Sequence, residues 1–281
     1  MSFAVLTKAP ALLKIFIFFL TWAIAWLPIA ILLAIALHWH PPKPLAPSQK
    51  LPLLASLYLL APAILWGAAH LEGTSFTDYG LSWNPSVLSS VGLGWLLGVL
   101  GLAILFVVQQ ALGWLRWQRP IQTKAEGSHA ATALLQLLLP TLLLGLWVSV
   151  TEELIFRGFL INQLQQDYSV WVAGGIASLI FALLHLVWEG KENIPQLPGL
   201  WLMGMVLGLA RWVDGGSLGL ACGLHAGWIW AIASLDAMEA IAYTGSGSTW
   251  LTGLGGKPLA GAMGILFLLA TGAILWEFGL A

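Results

Sequence analysis

The sequence predicts an all-α membrane protein, a polytopic bundle of about eight transmembrane helices. Three observations carry that prediction. Of the 281 residues, 59% are hydrophobic and only 8% charged, against about 25% charged in soluble domains. Mean hydropathy is +0.88. The apolar residues also fall into runs near the length of about 20 residues that crosses a hydrocarbon core of about 30 Å. Residues 1–281 read as a single membrane-embedded domain.

The expected spans follow in order. The first is Ala11–Leu37, with Lys14 near its start placed to snorkel to the interface. Pro41-Pro42-Lys43-Pro44 opens a linker, expected to stay non-helical as far as Lys50. The second span is Leu51–His70. A polar loop, Glu72–Pro85, leads to the third, Val87–Leu112, and a loop containing Arg116, Arg119 and Lys124 follows. The fourth runs from Ala130 to Gln165, too long for a simple perpendicular crossing, and Pro140 is the expected site of a break or kink. Ser169–Trp188, Leu197–Val213 and Ser217–Leu235 are the fifth to seventh. A Gly/Ser/Thr-rich loop around Gly245-Ser246-Gly247-Ser248 precedes the eighth, Leu259–Trp276. Gly94 and Gly98, Gly204 and Gly208, and Gly219, Gly223 and Gly227 recur at four-residue spacing, which lets helix backbones approach closely.

A net charge of −1 offers nothing to nucleic acid; the expected partners are membrane lipid and whatever enters the bundle. The single cysteine, Cys222, excludes an intrachain disulfide and any multi-cysteine metal site, and is read as a small packing residue. The first hydrophobic run is too long for a cleavable signal peptide. Most basic residues fall in alternate loops, with Lys43, Lys50, Arg116, Arg119, Lys124, Lys191 and Lys257 on one side. The positive-inside rule then favours an external N-terminus; the expected location is a bacterial cytoplasmic-type membrane.

One stretch violates the apolar pattern. Thr151-Glu152-Glu153-Leu154-Ile155-Phe156-Arg157 lies inside the fourth span, with the apolar Gly158-Phe159-Leu160-Ile161 beyond it. Each charge at bilayer depth costs roughly 2.5–3.5 kcal/mol on insertion scales. Glu153 and Arg157 are spaced i, i+4 and are expected to pair, with Glu153 the ionised partner. Glu152 points about 100° away and is left for something else. The bland reading is that the three charges only satisfy one another. Of six histidines, His38, His40, His70 and His129 fall at span ends or in loops. His185 and His225 lie inside the fifth and seventh spans. In hydrocarbon the cheapest partners for such groups are each other, so Glu152, His185 and His225 are expected to line one cavity.

Two glutamates and two histidines suit hydrolysis. A carboxylate and an imidazole can take a proton from water, and a second imidazole can donate to an oxyanion. Alternatively, Glu152, His185 and His225 would hold Zn²⁺ with an open water position, two His and one Glu being a catalytic zinc set. There is no His-Glu-x-x-His run and no Gly-x-Ser-x-Gly elbow.

Glu152-Glu153-x-x-x-Arg157, then Phe181-x-x-x-His185, then His225 resemble the three ordered motifs of the CPBP family. These are the CAAX prenyl proteases and bacteriocin-processing (Abi-type) intramembrane proteases. The approach to the third motif, Gly204 to Gly208 and then Gly215-Gly216-Ser217-Leu218, is also similar, and the likeness covers about 142–235. The resemblance implies an eight-helix bundle with a cavity in the bilayer, and a catalytic set of Glu152, Glu153, Arg157, Phe181, His185 and His225. In it Glu152 activates water with His185. Glu153 and Arg157 support the first motif, Phe181 shapes the site, and His225 stabilises the oxyanion. Both metal-dependent and metal-free mechanisms are described for the family.

One position departs from the pattern. Four residues after His225, where the family has Asn or Asp, stands Ile229, which cannot hydrogen-bond. The resulting expectation is an intramembrane endopeptidase that cleaves a membrane-associated peptide or protein, with Ile229→Asn raising its activity. The alternatives are a non-proteolytic scaffold or immunity-type protein that keeps the fold, which Ile229 favours, and a transporter, which the lack of an internal repeat disfavours.

Overall fold

The computed structural model describes residues 9–40, 43, 45–118 and 128–280. Lys8, Arg119, Lys124 and the prolines Pro41, Pro42 and Pro44 lie outside the described residues. The architecture is an all-α membrane bundle. α1 (Ala11–Ala36), α2 (Pro47–Glu72) and α3 (Pro85–Ala111) come first. α4 (Ser128–Glu153) runs directly into a π-helical segment (Leu154–Leu160) and a last α-turn, α5 (Ile161–Leu164). α6 (Val170–Glu189), α7 (Leu197–Val213), α8 (Gly219–Ala237), the short α9 (Thr249–Thr252) and α10 (Ala262–Leu280) complete it.

Six of these helical runs are long and apolar enough to cross a membrane: α1, α2, α3, the α4–α5 run, α6 and α8. A shorter apolar stretch lies in α10 (Ala262–Glu277). Among the described residues, length and composition alone thus give six spans and one shorter apolar helix where about eight were expected. α7 has 17 residues, about 26 Å at 1.5 Å per residue, and falls short of the core thickness. The outward side chains suit lipid contact: Leu32, Ile35, Leu59 and Val187 are among the most exposed residues.

Three expectations are corrected. α2 begins at Pro47 inside the stretch read as linker, because proline in the first helical turn forfeits only an N–H that has no intrahelical partner. α4 passes through Pro140 unbroken, and its irregularity comes one span-half later, in the π segment. Lys14 does not snorkel. It is buried, with Nζ 3.5 Å from Glu72 Oε1 and donating to Gln166 Oε1 at 2.8 Å. That ties the start of α1 to the end of α2 and to the α5–α6 turn. A small antiparallel pair, β1 (Leu115–Trp117) with β2 (Ile241–Tyr243), was not expected; it joins the chain after α3 to the chain after α8.

The glycine rows explain the packing. In hydrocarbon there is no hydrophobic drive between helices, so close backbone approach must hold them. α3 and α8 meet at their glycines. A Cβ at Gly94 would strike the Leu220 carbonyl, one at Gly223 the Val91 carbonyl, and one at Gly227 the Trp95 carbonyl oxygen at 2.6 Å. In the same way Gly204 of α7 leaves room for Ser178 of α6, with an added Cβ only 2.6 Å from the serine Cβ. These contacts fix α8, and with it His225, against its neighbours.

Candidate active site

The π segment sets the first half of the site. Widening the helix over Leu154–Leu160 re-aims its side chains, a device common at functional sites. All seven of its residues are buried. Gly158 permits the close approach of the loop before α3, since a Cβ there would lie 3.1 Å from the Tyr79 carbonyl oxygen. Arg211 of α7 clamps the segment from outside. Its guanidinium donates to the Arg157 carbonyl, to Asn162 Oδ1 at 2.8 Å and to the Gly216 carbonyl at 3.1 Å. Asn162 in turn donates to the Asp78 carbonyl at 2.7 Å. The Asp78 side chain is pinned in its loop by the hydroxyl and amide of Ser75, and these bonds hold its carboxyl below the usual range.

Inside the bundle, Arg157 Nη1 donates to Glu153 Oε1 at 3.0 Å, so the i, i+4 pair is formed. Both side chains are within 1% of full burial. The guanidinium carbon also lies 4.5 Å from the centre of the Phe181 ring. Glu153 Oε1 accepts a second bond, from His225 Nδ1 at 2.7 Å. Because a carboxylate can only accept, the imidazole proton sits on Nδ1, and Nε2 is left with its lone pair. Nε2 stands 3.7 Å from Glu152 Oε2. The other Glu152 oxygen, Oε1, accepts from the hydroxyl of Tyr58 on α2. Arg157, Glu153, His225, Glu152 and Tyr58 therefore form one chain of contacts across four helical elements.

Glu152, Tyr58, Phe181 and His185 share the wall of a cavity of about 880 Å³, which runs between α1 and α2 on one side and α4 and α6 on the other. Its lining is overwhelmingly apolar, with Trp22, Trp26 and Trp188 prominent. Lys50 and Glu189 lie at its far end, where Glu189 also meets Lys257. Glu152 and His185 reach this space as expected. His225 does not line it; the imidazole is buried behind Glu152. His185 donates from Nδ1 to the Phe181 carbonyl at 2.9 Å, one turn back on its own helix, which leaves its Nε2 as an acceptor. Its ring packs edge-on against Phe181, centroids 4.7 Å apart.

The zinc alternative needs Glu152, His185 and His225 to converge on one point. Among the described residues no three His, Cys, Asp or Glu side chains are placed to hold a metal ion. Both imidazoles keep an Nε2 lone pair, but His185 lines the cavity while His225 lies outside it behind Glu152, so the two do not converge on one point. The donor set as folded does not fit zinc.

Ile229 packs into the seam between α4 and α8, its Cβ 3.6 Å from where a Cβ on Gly145 would stand. It is not part of the cavity wall. Tyr58 went unrecognised in the sequence. It is a single tyrosine in an apolar run with no charged neighbour, and the one available signal, a hydroxyl at membrane depth in need of a partner, is weak.

Residues 134–231 match the family model described as type II CAAX prenyl endopeptidase Rce1-like. No curated protein and no solved structure matches the chain. The matched stretch runs from α4 to α8 and contains Glu152, Glu153, Arg157, Phe181, His185 and His225. Over this stretch the chain is similar to the type II CAAX prenyl endopeptidase family, the likeness that the three ordered motifs gave.

Proposed function

We propose that the protein is an intramembrane endopeptidase of CPBP type, cleaving a membrane-associated peptide or protein with water activated by Glu152. The observation that carries the reading is the placement of Glu152. It is a carboxylate on the wall of a large apolar cavity, with an imidazole lone pair 3.7 Å from its free oxygen. That separation suits one water oxygen within hydrogen-bond reach of both Glu152 Oε2 and His225 Nε2. Such a water has both protons held and a lone pair free for a carbonyl carbon on the cavity side.

Glu152 takes one proton as the water oxygen bonds the carbonyl carbon, and the C=O electron pair moves onto oxygen. Collapse of the tetrahedral intermediate breaks the C–N bond, and the leaving amine receives the proton from Glu152. His225 orients the water, and Glu153 with Arg157 fixes the imidazole tautomer. The roles that the family pattern gives to the two histidines are thereby exchanged in part. His225 stands at the water, and His185, on the cavity wall, presents an acceptor to the peptide N–H. The cavity excludes bulk water, which strengthens each of these interactions.

The test is cleavage of a library of internally quenched hydrophobic peptides by purified protein in detergent, with Glu152→Ala as control. Turnover that disappears in the control is the expected result. A fully folded protein that cleaves nothing, in detergent and in bilayers, favours the non-proteolytic scaffold, the reading that Ile229 in the α4–α8 seam supports.

A further inference from the structure

Hydrolysis by this site needs a donor for the oxyanion, and the residues named by the family pattern do not supply one. His225 has Nδ1 bonded to Glu153 and Nε2 turned toward Glu152, so both nitrogens face carboxylates. His185 spends its Nδ1 proton on the Phe181 carbonyl. Ile229 has no polar atom and lies away from the cavity wall. What does stand at the reacting carboxylate, on the cavity wall, is the hydroxyl of Tyr58. It comes from α2, outside the matched stretch 134–231.

Resting on the endopeptidase reading, we propose that Tyr58 is a catalytic residue: its O–H holds Glu152 in the resting site and donates to the oxyanion in the transition state. The physical reason is that a hydrogen-bond donor follows negative charge. In the resting site the charge is on Glu152, and the hydroxyl donates to Oε1. As Glu152 takes the proton from water, its charge passes to the carbonyl oxygen of the tetrahedral intermediate. A substrate carbon close enough to be attacked by a water on Glu152 places that oxygen within a small rotation of the same hydroxyl. The Tyr58 proton is not transferred; only the acceptor of its hydrogen bond changes. When the intermediate collapses and Glu152 returns its proton to the amine, the hydroxyl returns to Oε1. Tyr58 is also well held for this purpose. Its ring meets Trp147 of α4 edge-on, with centroids 6.1 Å apart, so α2 and α4 aim the hydroxyl jointly.

A donor that reaches the substrate only in the transition state lowers kcat on removal and leaves substrate binding intact. Tyr58→Phe keeps the ring and its contact with Trp147. On a peptide that the wild-type protein cleaves, the variant is expected to lose on the order of 10²–10³ in kcat, with KM within about twofold and an unchanged melting midpoint. Tyr58→Leu, which also removes the ring, should lose no more kcat than Tyr58→Phe. Equal kcat in Tyr58→Phe and wild type overturns the proposal and leaves the endopeptidase reading standing. A loss shared between KM and kcat, or a loss that tracks a lowered midpoint, overturns it in favour of a packing role. A folded wild-type protein that cleaves no substrate removes the endopeptidase reading and this proposal with it.

Discussion

At the residue scale the two adjacent glutamates have different work because they face different ways. Glu153 is sealed in the bundle and carries both Arg157 and His225, whereas Glu152 looks into the cavity. Glu153→Gln removes the countercharge of a buried guanidinium, and breaking such a pair costs about 3–5 kcal/mol. That variant is expected to melt well below wild type in detergent. Glu152→Gln should melt near wild type and be inactive. Swapped outcomes in a thermal melt and a cleavage assay would reverse the assignment. Ile229 supplies the second test. The activity gain expected from Asn at this position gives way to a different outcome, because the side chain lies in the α4–α8 seam beside Gly145. Ile229→Asn should leave kcat unchanged and lower stability by about 1 kcal/mol, since the amide would stand half-buried in an apolar seam. A rise in kcat would show that the amide reaches the site after all. The Glu153–Arg157 pair was legible because i, i+4 spacing is local. The His225–Glu153 bond spans 72 residues, and no spacing rule could choose between His185 and His225 as the partner.

At the element scale, long apolar helices and small-residue rows read directly from sequence, since both are periodic. The π segment did not, because its cause is tertiary: Arg211 bonding the Arg157 carbonyl, and Tyr79 pressing on Gly158. α7 spans Leu197–Val213 as its apolar run indicates, and its 17 residues reach only about 26 Å, short of the hydrocarbon core. The helix glycines separate into positions that carry packing and positions that do not. An added Cβ at Gly223 would run into the Val91 carbonyl of α3, whereas one at Gly175 of α6 meets nothing within 4 Å. Gly223→Ala should force α3 and α8 apart and cost about 1–3 kcal/mol. Gly175→Ala should be neutral or gain up to about 1 kcal/mol through the lower backbone entropy of alanine in a helix. Melting of the two variants in one detergent checks the pair. Equal effects would mean that the α3–α8 approach is looser than described.

At the scale of the whole molecule, the site is assembled by the bundle and by no single part of it. Glu152 comes from α4, His225 from α8, His185 from α6 and Tyr58 from α2, while α1 closes the far wall of the cavity. The arrangement makes function hostage to the integrity of α8, which packs on α3, α4 and α7 at once. Cys222 reports on that integrity. It is the chain's single cysteine and is 2% exposed, near the start of α8, with Ser149 of α4 bonded to its carbonyl at 2.6 Å. A thiol-reactive fluorophore should therefore leave the folded protein unlabelled and react in one transition on heating. Its midpoint should coincide with the loss of far-UV helical signal and with irreversible loss of cleavage. The reason for a single transition is that no fraying of one helix end uncovers a side chain enclosed by three neighbours. Labelling at temperatures where cleavage is still complete would show that α8 opens independently of the site. His225 would then have to be held by the Glu153–Arg157 pair alone, with no help from the α3–α8 seam. In that event Gly223→Ala should raise the labelling rate without changing kcat; in the bundle as described it should lower the labelling and activity midpoints together.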